Sequence, residues 1–395
     1  MTQTIQNNKL YSKISCITGI ILIASLTLWA EQNSAIATMF TEGKANIDSR
    51  IRWEQTKRGD SDPDGISIRT RIGYTTGNYK GLRGMLEMEN ISIPFNADQP
   101  NGLDVTTNEL NQLWLIYTNS DLGSVKLGRQ VYTLDDHRFI GHVGWRQNIQ
   151  TFDAVTTETA IGDQLTLRTG FIDQVNRINA TRQDMNGSLV NLHLAYNDYL
   201  KFTAFGYFLN FDSFAVDSDS IGVRVTGKLP LSDNALGYAA SYASQDQPTR
   251  DKKYDYSSVE VNAKLNPLDL TFGYEVLEGD ANHSFSTPLA TVHKFQGFAD
   301  KFVGNTINGT LVNGITDLYF GVSYKLPIGN GAVTKAIYHV FEAETGNVEY
   351  GNEVDLVLSY KFNAYLNTLI KFADYNAEDS SNDTQILSFE INFKY

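Results

Sequence analysis

Near the C-terminus, Leu387, Phe389, Ile391, Phe393 and Tyr395 occupy every second position and alternate with Ser388, Glu390, Asn392 and Lys394. Successive side chains of a strand point to opposite faces, so this pattern predicts a strand with one apolar and one polar face, carried to the last residue. The same period recurs upstream. Ile47, Ile51 and Trp53 oppose Asn46, Asp48, Arg50 and Arg52, and Ile66, Ile68, Ile72 and Tyr74 oppose Ser67, Arg69, Arg71 and Gly73. Leu268, Leu270, Phe272 and Tyr274 alternate with Asp269, Thr271, Gly273 and Glu275, and Val354, Leu356, Leu358 and Tyr360 do so with Glu353 and Asp355. Strands are predicted at 44–54, 65–75, 82–90, 109–118, 123–131, 150–158, 163–171, 188–196, 199–208, 219–228, 235–243, 256–265, 268–277, 314–324, 332–341, 352–361, 364–373 and 385–395. The segments 109–118, 123–131, 199–208 and 332–341 alternate poorly.

Every second connection is short and built of turn formers, as at Gly77-Asn78, Asn197-Asp198, Asn266-Pro267 and Phe362-Asn363. The others are longer, the largest at about 278–313, and both termini fall on the short-turn side. Segments of about 9–11 residues joined by alternating short and long links predict an all-β chain, a single transmembrane antiparallel β-barrel of about 18 strands with both ends in the periplasm. A soluble β-sandwich or β-helix also alternates, but neither requires this alternation of link lengths, and no fixed repeat is visible.

The N-terminus changes the picture by adding an export step. Lys9 and Lys13 precede an apolar stretch from Ile14 to Trp29, and Ala35-Ile36-Ala37 is a small-x-small site. Residues 1–37 are therefore expected to be a signal peptide, cut after Ala37 or after Ala30, and residues 38–395 the outer-membrane barrel. Ser15, Thr18, Ser25 and Thr27 make that stretch a poor membrane helix. The sole cysteine, Cys16, would leave with the signal, so no disulfide is expected. Loss of Lys9, Lys13 and Glu31 makes the net charge of −13 one unit more negative. That balance, with no Lys/Arg-rich block, argues against a nucleic-acid partner. Tyr and Phe at 21 each against Pro at 8 favour strands, and tyrosines near strand ends fit interfacial girdles.

Several stretches resemble the alginate-export family of outer-membrane porins. They are Lys126-Leu127-Gly128-Arg129-Gln130, Arg138-Phe139-Ile140-Gly141 with Gly144-Trp145-Arg146-Gln147-Asn148, Gln150-Thr151-Phe152-Asp153-Ala154-Val155, the run from His293 to Phe302, Gly314 to Tyr319, and Arg69 to Tyr74. The resemblance implies an 18-stranded monomeric barrel, and in the best-known member an Arg/Lys-lined pore that releases an acidic polysaccharide, alginate. Family likeness does not carry the substrate with it.

Alternation puts Arg50, Arg52, Arg69, Arg71, Arg83, Arg168 and Arg224 on the water-facing side as pore-lining candidates. Such an arc would attract anions. Asp48, Glu54, Glu87, Glu89, Asp269, Glu275, Glu353, Asp355 and Glu390 share that face, and the competing reading is an internal salt-bridge ladder. The segment from Tyr132 to Ile149 is expected to fold inward as a constriction loop, with Asp136, Arg138, Trp145 and Arg146 as its candidates and Arg138 and Arg146 as solute contacts. The alternative is that Arg146, Gln147 and Asn148 only fix the loop to the wall. Phe285 to Gly314 reads as a long loop packed on the barrel rim, with sugar stacking as its alternative. No Ser/His/acid set converges, and Asp135, Asp136, His137 and His142 lack a metal-ligand spacing, so no enzyme, cofactor or metal is expected. Expected partners are membrane lipid and lipopolysaccharide, the barrel-assembly machinery through the strand ending at Tyr395, and small polar solutes. The function expected is passive passage of small hydrophilic, including anionic, solutes; the alternatives are export of an acidic polysaccharide and a plugged structural or receptor barrel.

Overall fold

The computed structural model describes residues 34–94, 104–213, 215–231, 234–329, 331–379 and 382–395. A short helix, α1 (Ser34–Thr41), leads into eighteen strands: β1 (Lys44–Arg58), β2 (Asp64–Thr75), β3 (Leu82–Ser92), β4 (Thr107–Asn119), β5 (Gly123–Gln130), β6 (Thr151–Ile161), β7 (Leu165–Asn176), β8 (Arg182–Asn197) and β9 (Leu200–Phe211). The second half comprises β10 (Ser218–Leu231), β11 (Asn234–Gln247), β12 (Lys252–Leu265), β13 (Leu268–Leu277), β14 (Ile315–Leu326), β15 (Ala332–Glu342), β16 (Glu349–Lys361), β17 (Leu366–Ala377) and β18 (Thr384–Lys394). A second helix, α2 (Val303–Asn308), lies in the β13–β14 connection.

Each strand pairs antiparallel with its sequence neighbours, and β1 also pairs with β18, with Ile51 opposite Ile391 and Trp53 opposite Phe389. Closure satisfies every strand edge inside the sheet, which lipid could not do. Tyr395 and Ile47 exchange two backbone hydrogen bonds across this seam, at 2.8 and 3.0 Å. The expectation of about 18 strands with both described ends on the short-turn side holds.

Facing follows the alternation. Ile51 is 46% exposed on the outer surface while Arg52 beside it is 1% exposed inside. Ile72, Leu115, Val259, Phe272 and Phe320 continue the outer apolar band, which is the surface a bilayer covers. The segments that alternate poorly do so for a physical reason. On β9, Phe205, Tyr207 and Leu209 point inward and are buried, while Phe202 and Phe208 point outward and are exposed. Both faces are apolar there because the lumen is not wet at every height.

Two connections fill the outer half of the barrel. One is the third outer loop, residues 131–150; the other is the seventh, residues 278–314, expected on the rim but found inside. Leu134 and Ile140 of the third loop and Phe285, Leu289 and Phe302 of the seventh form one buried cluster with inward side chains of the wall, among them Ile172, Met185, Leu189 and Tyr256. Burying these faces together holds the loops down by the hydrophobic effect. On the turn side, α1 closes against the mouth. Gly77 N donates to the Met39 carbonyl (2.7 Å), and the Tyr74 hydroxyl donates to that of Phe40. Most of the expected signal segment, including Ala30, lies outside the described residues, whereas Ala37 sits within α1.

Candidate functional site: a two-loop constriction

The third outer loop crosses the lumen because its ends and its middle are tied to different walls. Asp135, Asp136 and Arg138 reach β8, β10 and β13: Asp135 accepts from Asn191 Nδ2 (2.8 Å), Asp136 pairs with Arg224 (2.7 Å), and Arg138 pairs with Glu275 (2.8 Å). Across the barrel, Arg50 donates to the carbonyls of Gly144, Trp145 and Arg146, and Arg71 to that of Gln147. Gln147 Nε2 donates to Ser67 Oγ (2.9 Å). Asp135, His137 and Val143 adopt positive φ, and these local bends fit the segment to its anchors.

The seventh loop is fastened to the third. Gly141 N donates to the Leu289 carbonyl (2.8 Å) and Thr291 N to that of His137 (3.0 Å), while Gln150 Nε2 reaches both Gly141 and Leu289. Its own wall anchors are Ala299 N to Glu353 (2.8 Å) and Phe298 N to Asp355 (3.2 Å). Where the loops meet, Trp145 stacks on His293 with centroids 4.4 Å apart, and Arg52 and Lys371 approach the indole to 4.1 and 3.8 Å. Burial holds His293 neutral, pushing its pKa down to about 3 although Asp300 Oδ1 lies 2.8 Å from Nδ1. For Asp300, burial is outweighed by His293 and Arg146, which lower its carboxyl to about 2.

The arginines singled out from the sequence divide by height. Arg52, Arg69 and Arg71 are buried and paired with Glu390, Asp48 and Glu89 respectively. Arg50 lies 3.5 Å from Glu390, and Arg168 pairs with Glu158 (2.7 Å). Arg83 lies exposed at the turn-side end of β3. In the loop, Arg138 and Arg146 are only 1% and 2% exposed; Arg146 lies between Glu54 (3.4 Å) and Asp300 (2.7 Å). Both are nearly fully buried in ion pairs that tie the loop to the wall, where a solute-contacting group was expected. Trp145 belongs to the stack described above. Asp136 and Arg224 border a cavity of about 260 Å³ between the loops and the β10–β15 wall.

The same cavity is bordered by Glu260, Lys294, Tyr319, Lys335 and His339, residues that inspection of the arginines missed. Below it, on the turn side, Lys201, Lys228 and Lys264 share the inward parity of Arg224 and Glu260 through the pairs Thr226–Lys201, Lys228–Gly237 and Ala235–Lys264. None of Lys201, Lys228, Lys264 and Lys335 makes an ion pair among the described residues. The chemistry explains the division. A guanidinium loses less on dehydration and grips carboxylates in a fixed fork, so it serves the buried anchors; a strongly hydrated ammonium stays in water. The lumen thus holds matched ion pairs at loop height, and beneath them lysines that make no ion pair among the described residues share the inward face with Glu260 and Asp269.

The alginate export family model matches residues 55–166, from the end of β1 to the start of β7, and includes the third outer loop. Among solved structures, the chain is similar to Pseudomonas aeruginosa OccK9 (OpdG), with a TM-score of 0.73 at 15% identity, covering 90% of this chain and 100% of that one. The chain shares its closed-barrel fold with this structure. Acinetobacter baumannii OccAB2 is similar at a TM-score of 0.71 and 12% identity, covering 91% and 99%; Pseudomonas aeruginosa OpdK with vanillate is so at 0.69 and 15%, covering 89% and 98%. No curated protein matches the sequence. The barrel's apolar band, closed sheet and short-turn side place it in a bacterial outer membrane with its inturned loops toward the exterior.

Proposed function

We propose that the protein is a passive outer-membrane channel for small hydrophilic solutes, with a preference for anions, and that it performs no chemistry on them. The observation that carries this reading is the contrast between paired arginines at loop height and unpaired lysines bordering the cavity and the turn-side chamber. A low-dielectric wall focuses the field of such lysines into the water and raises the local anion concentration. OpdK, one of the similar barrels, was crystallised with vanillate, a small molecule of a size that fits passage past a narrow constriction.

Export of an acidic polysaccharide is the second reading, favoured by the alginate export match at 55–166. It would require both inturned loops to leave the lumen, against the Arg138–Glu275, Arg146–Glu54 and Glu353–Ala299 anchors. We favour small solutes for that reason. The alternation that reaches Tyr395 further supports recognition of the last strand by the barrel-assembly machinery, and lipid and lipopolysaccharide as neighbours of the outer band.

Conductance of the purified barrel in planar bilayers tests the proposal. Discrete channel openings with an anion-selective reversal potential in a KCl gradient are expected, and a barrel that inserts but never conducts would leave only the plugged reading.

A further inference from the structure

The cavity of about 260 Å³ beneath the loops is bordered by charges of both signs. Some are closed in pairs: Asp136 with Arg224 (2.7 Å), Asp317 with His339 (2.8 Å) and Glu275 with Arg138 (2.8 Å). Glu260, Lys294 and Lys335 make no ion pair among the described residues. Glu260 accepts from two neutral donors, the Tyr319 hydroxyl (2.7 Å) and Asn262 Nδ2 (2.8 Å), and Lys294 Nζ donates to the Asp136 carbonyl (2.9 Å). Gln296 adds an acceptor. It is 2% exposed, and its Nε2 donates to Glu275 Oε2 (3.1 Å), which fixes the other end of the amide as Oε1, an atom without a hydrogen-bond partner. A buried acceptor left unmade is costly, so it favours an occupant that brings a donor. The wall is hollowed here by small inward residues: Ala239 and Gly321 line the recess, and the Tyr319 ring lies over Gly273, where a Cβ would collide with it. An anion alone would suit the lysines and be repelled by Glu260, and a cation alone would meet the reverse; a molecule of both signs matches both.

We propose that this cavity binds a small zwitterion, its carboxylate held by Lys335 and Lys294, its ammonium by Glu260 and Gln296 Oε1, and its apolar body against Phe295, Phe298 and Ile337. The volume suits a compound of roughly ten heavy atoms. The inference rests on the reading of the barrel as a solute channel and narrows it: the lysines draw carboxylates toward the cavity, and Glu260 selects those that also carry an ammonium.

Equilibrium dialysis of labelled L-leucine against the detergent-solubilised full-length barrel tests the site. The unlabelled competitors are 4-methylpentanoate, which lacks the ammonium, and 3-methylbutylamine, which lacks the carboxylate. Saturable L-leucine binding is expected, with each competitor about tenfold or more weaker than L-leucine itself. Glu260→Gln keeps an acceptor for Tyr319 and is expected to erase the advantage of L-leucine over 4-methylpentanoate. Lys335→Met combined with Lys294→Met is expected to erase its advantage over 3-methylbutylamine. Absence of saturable binding, 4-methylpentanoate competing as well as L-leucine in the parent, or equal L-leucine binding by the parent and Glu260→Gln would overturn the site. Anion-selective conductance alongside any of those three results would leave the channel reading standing, whereas the expected binding in a barrel that never conducts would support the site and sink the channel.

Discussion

Arg138 of the third outer loop meets Glu275 of β13 in a two-pronged contact, Nε to Oε1 at 2.8 Å and Nη2 to Oε2 at 3.2 Å, with both side chains buried. Tyr256 completes it by donating to the same Oε1 (3.0 Å). The loop is thereby held to the wall by a buried ion pair, and removing Arg138 leaves the Glu275 carboxylate without its counter-charge, with only the neutral donors Tyr256 and Gln296. Arg138→Ala is expected to cost about 3–5 kcal/mol by urea unfolding in detergent and to produce noisy, larger current levels. Replacing the pair together, Arg138→Met with Glu275→Leu, is expected to recover most of the stability. Unchanged stability in Arg138→Ala would contradict the anchoring role.

Selectivity is expected to follow lysines and not the buried arginines. Lys335→Glu, at the cavity, and Lys228→Glu, in the turn-side chamber, should each move the reversal potential toward cations. The paired change Arg52→Leu with Glu390→Leu should leave it near the parent value, because that guanidinium is already neutralised. A larger shift from the arginine pair than from either lysine would reverse the assignment.

Acid is expected to loosen the loops through His293. Its folded pKa, lowered to about 3 by burial, lies below the ordinary value of 6.5, so between these limits the unfolded chain binds the extra proton. Stability should therefore fall as pH drops from about 6.5 toward 3, with a slope of at most about 1.4 kcal/mol per pH unit from this group. Asp300, held at about 2, contributes its own loss only below its ordinary carboxyl range. Unfolding midpoints of the parent and His293→Phe across that range check this: the variant should give the flatter profile.

The seam predicts a role for the last residue. Tyr395 exchanges two backbone hydrogen bonds with Ile47, and its ring lies beside Tyr365. Deleting Tyr395 should lower the yield of folded barrel in detergent refolding, seen as loss of the compact band on unheated gels, while Tyr395→Phe should fold normally.

Much of this architecture could be read from alternation alone. Ile51 and Arg52, or Phe389 and Glu390, declare their faces because one side meets lipid and the other meets polar partners. Alternation fails at Phe205, Tyr207 and Leu209, since residues facing an inturned loop are as apolar as those facing lipid, and nothing local distinguishes the two surroundings. The candidate site shows the same limit. Parity identified Arg52 and Arg71 as inward, but whether an inward charge is free depends on carboxylates as distant in sequence as Glu390. Arg138 and Glu275 are 137 residues apart, and only the folded loop joins them. Lys264 carried the same inward parity in the sequence, whereas Lys335 lies in 332–341, where alternation is poor; the difference between ammonium and guanidinium hydration was the available signal.

The ion preference of this barrel is expected to come from its inward lysines. The most direct test is the zero-current potential of single channels across a KCl gradient, measured for the parent and for Lys335→Glu combined with Lys228→Glu. Anion preference in the parent that falls or inverts in the double variant is predicted; cation preference in the parent, or a potential unmoved by both substitutions, would contradict it.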